Sequence, residues 1–155
     1  MIRPATPADA AAIQTIWNDL IRTTTVTFNS VQKTKAEVAE LLKDRPVFVA
    51  DTEQVVGYAT YGPFRGGVGY QHIAEHSIVL RQDAQGQGLG RKLVDAIESH
   101  AKASDINSLI AGVSGENEAG IAFHSHLGFR EVGRIPNAGF KFNRWITLVL
   151  MQKHL

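Results

Sequence analysis

Seven consecutive residues, Gln85-Gly86-Gln87-Gly88-Leu89-Gly90-Arg91, carry the strongest chemical signal in the chain. The segment before them, Gln71–Leu80, reads as a strand. After them, Leu89, Leu93, Val94, Ile97 and Ala101 share one helical face. The turn therefore feeds a helix N-terminus, where the first backbone N–H groups lack intrahelical acceptors and the dipole presents partial positive charge. Glycines let the backbone approach a bound group closely. A pyrophosphate suits such a place. Two nucleotide motifs fail here. No Walker A string exists, and the spacing is G-x-G-x-G, not the G-x-G-x-x-G of a dinucleotide fold. On the glycines alone, a phosphate cradle and a flexible loop ahead of a helix fit equally.

The elements around this turn follow from local pattern. A short strand at Met1–Ala5 leads to a helix start at Thr6, Pro7 and Asp9, with Ile13, Ile16, Trp17 and Leu20 on one face. Thr34 with Glu37 forms a capping-box pattern for a second helix, whose buried side is Val38, Leu41 and Leu42. Val47–Asp51 and Val55–Tyr61 read as a hairpin, and Gly62 to Gly69 as a loop. A strand at Ser108–Val113 precedes a helix over Asn117–Leu127, stopped by Gly128. Strands around Arg130–Ile135 and Phe142–Met151 finish the chain, with Gly139 in the loop between them. The order β-α-α-β-β-β-α-β-α-β-β predicts one α/β domain spanning residues 1–155, a mixed sheet with helices on its faces.

Composition narrows the function. Sixteen Lys and Arg against fifteen Asp and Glu leave a net charge of +1 with no basic run, which argues against nucleic acid or an anionic membrane as partner. The absence of cysteine excludes disulfides, a Cys zinc site and a thiol nucleophile. No window is long and apolar enough for a membrane span. The start Met1-Ile2-Arg3-Pro4 has no leader pattern, so the expected location is the cytoplasm. No His or carboxylate cluster has ligand spacing, so no metal is expected.

Gln85, Gly88 and Gly90 fit a wider pattern: glutamine or arginine, two free positions, glycine, one free position, then glycine or alanine. With it come Ala74-Glu75-His76-Ser77, Asn117, Phe123-His124, Leu127-Gly128-Phe129 and Gly139-Phe140-Lys141-Phe142 followed by Arg144-Trp145. Across nearly the whole chain this set resembles the GNAT superfamily of acetyl-CoA-dependent N-acetyltransferases. Within it, the set resembles the phosphinothricin and methionine-sulfoximine acetyltransferase branch. The resemblance implies a mostly antiparallel sheet splayed open after Gln71–Leu80, with coenzyme A in the gap. It implies pantetheine contacts from the backbone of Ile78, Val79 and Leu80. Pyrophosphate contacts would come from Gln85, Gly86, Gln87, Gly88, Leu89, Gly90 and Arg91, and a further coenzyme contact from Asn117. It also implies a homodimer.

The implied chemistry is direct attack by an amine on the thioester in a ternary complex. The amine must first lose a proton, so a base is needed. The resemblance gives that role to Glu75. Without it, a lone strand glutamate reads as a solvated side chain. The oxyanion donor is expected to be the N–H of Val79. Many relatives use a tyrosine as acid; this chain has Phe123-His124 there. Asn117, Ile121 and His124 share a helix face, so His124 is either that acid or a structural histidine. His76 points to the opposite face from Glu75, in a structural role. The acceptor is expected to be a small amino-acid-like amine, held by Phe28, Arg65, Gln71, His72, Glu75, Phe140 and Lys141. Gln71 stands where the branch carries arginine, and Gly120 where relatives often carry serine. A non-catalytic acyl-CoA-binding module and a protein N-acetyltransferase are the alternative readings.

Overall fold

The structure is a computed structural model describing residues 1–155. Four helices cover a seven-stranded sheet. The strands are β1 (Ile2–Pro4), β2 (Val47–Asp51), β3 (Val55–Pro63), β4 (Ile73–Leu80), β5 (Ser108–Ser114), β6 (Arg130–Lys141) and β7 (Arg144–His154). The helices are α1 (Ala10–Thr23), α2 (Lys35–Asp44), α3 (Leu89–Ala103) and α4 (Glu118–His126). The sheet order is β1-β2-β3-β4-β5-β7-β6, and only β4 and β5 run parallel. No helix is long and apolar enough to cross a membrane.

Two apolar clusters sandwich the sheet. On one face α1 and α2 bring Ile13, Ile16 and Val38 onto Val49, Tyr58 and Val79. On the other, Leu89, Leu93, Val94 and Ile97 of α3 meet Ala74, Leu109, Phe129 and Val149. Alternation along β4 divides it between them: Val79 faces α1 and α2, whereas Ala74, Ile78 and Leu80 face α3 and α4.

Caps behave as their residue types dictate. Thr34 accepts from the Glu37 N–H at 3.2 Å, and the Asn117 side chain accepts from the Gly120 N–H at 2.9 Å. Gly128, at φ 94°, follows α4. Three expectations are corrected. The predicted loop from Gly62 begins later, because β3 continues to Pro63, and Val68–Tyr70 forms a 3-10 turn. The strand expected from Gln71 begins at Ile73. Gly139 lies inside β6, paired with Ile146, because a register shift between Ile135 and Gly139 absorbs Pro136, Asn137 and Ala138. The hairpin turns instead at Phe142 and Asn143, both at positive φ.

One ionic cluster ties the start of the chain together. Arg3 donates twice to Asp9, at 2.9 Å each, and reaches Asp51 at 2.8 Å. Asp9 is buried and also accepts the Thr6 N–H at 2.7 Å. The Arg3 guanidinium holds the Asp9 carboxyl at about 2. A carboxyl lowered in the folded state stabilises above its unfolded value and loses that contribution as pH falls through the folded one. Asp9→Asn is therefore expected to cost about 2 kcal/mol at neutral pH. It should also flatten the stability loss between pH 4 and 2, read from urea unfolding across that range.

Candidate active site

The parting of β4 from β5 builds the site. The two strands pair only from Ile73 with Ser108 to His76 with Ala111. Beyond that, Ser77–Leu80 and Gly112–Ser114 diverge. Backbone direction in β4 is set by its other neighbour. The Arg81 N–H donates to the Val56 carbonyl at 2.8 Å. In an antiparallel ladder such pairs alternate, so Val79 turns its N–H toward Tyr58 of β3. Ile78 and Leu80 turn theirs into the gap. Val79 is thus displaced from the expected oxyanion role, because its donor belongs to the sheet. The first gap-facing N–H past the parting is that of Ile78.

A cavity of about 310 Å³ opens at this point. Its walls come from α1 and α2 (Trp17, Leu20, Leu41), β3 (Tyr58, Thr60), β4, β5, α4 and residues 26–29. Glu75 projects into it, with one carboxylate oxygen 3.1 Å from where a Cβ on Gly112 would stand. Glycine at 112 makes that room. Burial raises the Glu75 carboxyl above the ordinary range, partly offset by the charge of Arg45. Among the lining residues Glu75 is the one carboxylate and Arg45 the one fixed cation.

His76 and His124 meet at the cavity's edge, where α4 packs on β4. The His124 Nδ1 lies 2.8 Å from the Gly120 carbonyl, so it carries the proton and donates. Its Nε2 is then an acceptor and receives the His76 Nε2–H at 2.9 Å. The Nδ1 of His76 is buried without a partner. Burial, helped by His124, holds His76 down at about 3; burial also lowers His124, against the pull of the Gly120 carbonyl. Both rings are neutral. His124 lines the cavity but has no proton to give into it, so the structure turns it from the acid role to bracing His76. His76 takes the structural position expected of it.

The glycine turn leads into α3 as the sequence predicts. Gly86 and Gly88 adopt φ of 78° and 75°, and no atom lies within 4 Å of where a Cβ would project from either. Gly88 caps α3, so the N–H groups of Leu89, Gly90 and Arg91 open its first turn. Gln85, Gln87 and Arg91 are exposed, while the Leu89 side chain is core. Gly90 serves packing: a Cβ there would stand 2.9 Å from the Phe123 ring. Asn117 spends its side-chain oxygen on the α4 cap and keeps its amide N–H₂ beside the cavity. Gly120 permits this, since a Cβ would overlap that amide.

The predicted acceptor contacts scatter. Phe28 lines the cavity, with its ring where a Cβ of Gly139 would be. Lys141 is buried and donates to the Thr27 carbonyl at 3.0 Å, so it anchors the wall rather than receiving an anion. Phe140 lies outside, half-exposed, edge-on to Trp145 with centroids 4.9 Å apart. Arg65 and Gln71 border a second hollow of about 520 Å³, with Arg65 over the Tyr70 ring. His72 Nδ1–H donates to the Asp105 carbonyl at 2.8 Å and its other nitrogen meets the Gln71 amide at 3.1 Å. These two therefore brace the start of β4. Arg45, Tyr58 and Thr60 went unsingled in the sequence, because only the β3–β4 register and the α2–β2 corner bring them to Glu75.

A family model described as an acetyltransferase (GNAT) domain matches residues 2–150, and the chain belongs to that family. It is 37% identical to the L-amino acid N-acyltransferase MnaT of Escherichia coli, over 99% of this chain and 93% of that one. Among solved structures, a ribosomal-protein-alanine N-acetyltransferase from Brucella melitensis superposes with a TM-score of 0.96 at 39% identity, covering 100% and 99% of the two chains. A phosphinothricin acetyltransferase from Sinorhizobium meliloti in complex with acetyl-CoA superposes at 0.94 with 30% identity, covering 100% and 88%.

Removing the His124 ring would strand His76 with both nitrogens buried and unpartnered. His124→Ala is expected to lower stability by about 2–4 kcal/mol in urea unfolding. The alkaline limb of the pH–activity profile should stay where it is, since His124 donates no proton there.

Proposed function

We propose that the chain acetylates the primary amine of a small amino-acid-like acceptor, in a ternary complex with acetyl-CoA, with Glu75 as the base. The observation that carries this is the placement of the Glu75 carboxylate. Partial burial raises it above the ordinary range, and it projects into an open cavity at the point where β4 leaves β5.

Acetyl-CoA supplies an acetyl group on a thioester. The residues present fit it. Ile78 and Leu80 have backbone groups turned into the gap, the glycine turn offers open N–H groups at a helix start, and Asn117 has a free amide donor. Ile78 and Leu80 would hold the pantetheine arm, and Gln85–Arg91 the pyrophosphate. The Ile78 N–H stands in for Val79 as the donor to the carbonyl oxygen where negative charge builds. Glu75 takes the ammonium proton, directly or through water. With His124 engaged by His76, water or the amine itself returns a proton to the leaving sulfur.

The cavity favours a small acceptor over a protein chain. Residues 26–29 close its side and are tied down by Lys141 on Thr27 and Phe28 on Gly139. The alternative, acetylation of a protein N-terminus, has its support in the name of the Brucella structure. We place the enzyme in the cytoplasm as a homodimer. The apolar face that a second copy would cover is the β6–β7 hairpin, where Val132, Ile135, Phe140 and Trp145 are exposed.

Thiol release from acetyl-CoA over a panel of amines tests the reading. The panel should include methionine sulfone, methionine sulfoximine, phosphinothricin and an N-terminal alanine peptide. Turnover of the free amino acids is expected, with kcat/KM rising with pH through an apparent value above that of an ordinary carboxylate. Glu75→Gln should lose this limb and about 10²–10⁴-fold in rate, while still binding acetyl-CoA. Peptide turnover alone would favour the protein acceptor; binding without any turnover would favour a non-catalytic module. In sedimentation, the wild type should run as a dimer and Trp145→Asp as a monomer. A monomeric wild type would remove the homodimer from the proposal.

A further inference from the structure

We infer that Arg45 receives the carboxylate of the acceptor, so that Glu75 and Arg45 read the two ends of an amino acid. This rests on the function proposed above and names what selects the acceptor.

Arg45 ends α2 and precedes Pro46, in extended backbone whose N–H donates to the Leu41 carbonyl at 3.0 Å. The corner is pinned to the sheet by Thr60, whose hydroxyl donates to the Pro46 carbonyl at 2.8 Å. From there the guanidinium lies on Gly62. A Cβ on that glycine would stand 2.6 Å from Cζ and 2.8 Å from Nε and Nη1. Gly62 is the residue directly opposite Glu75 in the β3–β4 register. Paired residues of an antiparallel ladder project to the same face, with their Cβ atoms roughly 5 Å apart. The guanidinium thus occupies the side-chain position beside Glu75, on the border between Glu75's cavity and the second hollow, and lines both.

Arg45 and Glu75 nevertheless form no ion pair, and no other carboxylate takes Arg45. One carboxylate and one free guanidinium on the same strand-pair face, in a cavity with no other fixed charge, complement a zwitterion. The ammonium goes to Glu75. The carboxylate goes to the planar fork of Arg45, which suits bidentate recognition. Gln71, by contrast, turns to His72 and the second hollow.

The test compares methionine sulfone with its primary amide, in turnover and in calorimetric binding to the full chain saturated with coenzyme A. The proteins are wild type, Arg45→Gln and Arg65→Gln. The expected result is a roughly 10- to 100-fold loss for Arg45→Gln on the acid, mostly in KM and in affinity, with the amide unchanged. Arg65→Gln should match wild type. Equal losses on acid and amide, no loss at all, or a selective loss in Arg65→Gln would overturn the assignment. So would a wild type that binds neither ligand. Tight acid binding that depends on Arg45 without any acetyl transfer would uphold the carboxylate site and sink the proposed reaction instead. Turnover indifferent to Arg45 would do the reverse.

Discussion

Everything in this molecule depends on two parallel strands ceasing to pair. Backbone N–H and C=O groups buried without partners are costly, so a sheet that opens in its middle must offer them to something else. Here β4 is held on its far side by an unbroken ladder with β3, from Gly57–Leu80 to Pro63–Ala74. It therefore stays straight and rigid while β5 swings away to meet β7. The result is a row of oriented donors and acceptors whose direction is set by the intact ladder. A gap of this kind is preorganised, because folding has already fixed the strand that lines it.

Strand alternation then divides labour across β4. Residues 75, 77 and 79 project toward α1 and α2, where the cavity holds Glu75, Tyr58 and the Arg45 guanidinium. Residues 74, 76, 78 and 80 project toward α3 and α4, where they are core or, for His76, braced by His124. Polar groups on the first side are exposed to the cavity. On the second they are neutralised: the histidine pair is kept uncharged by burial and spends its hydrogen bonds on itself and on Gly120. The same strand can thus support charge on one face and exclude it from the other within a few ångströms.

What the sequence conveyed was local. Helical periodicity placed α1, α2 and α3. Thr34 and Gly128 marked helix ends by cap chemistry, and Gln85–Arg91 marked the turn that opens α3. Information about pairing was not local and was lost. Gly139 looks like a loop glycine, yet a register shift places it in β6 under the Phe28 ring. Val79 looks equivalent to Ile78 until the ladder with β3 decides which N–H faces the gap. Arg65 and Gln71 lie close to Glu75 in sequence but border a different hollow. Arg45, thirty residues before Glu75 and beside a proline, reads as a solvated charge. Only knowing that Gly62 stands opposite Glu75 makes its position meaningful.

The segment between α1 and α2 has no regular structure, yet it is fastened along its length. Its far end is held by Gln14 and Asn18 of α1, which donate to the Lys33 carbonyl at 3.2 and 3.0 Å. Near its start, Thr25 donates to Glu116, which Arg144 grips at 2.9 and 2.6 Å. Lys141 and Gly139 hold its middle. Immobilising about ten residues of loop costs roughly 1–2 kcal/mol each in backbone entropy. In this protein that cost falls on folding, met by contacts with a hairpin more than a hundred residues away. A ligand entering the cavity finds the wall already ordered, so its affinity is not reduced by having to order it. Loosening the hairpin would hand that entropy back to the binding step, weakening association from a distance without touching a single contact to the ligand.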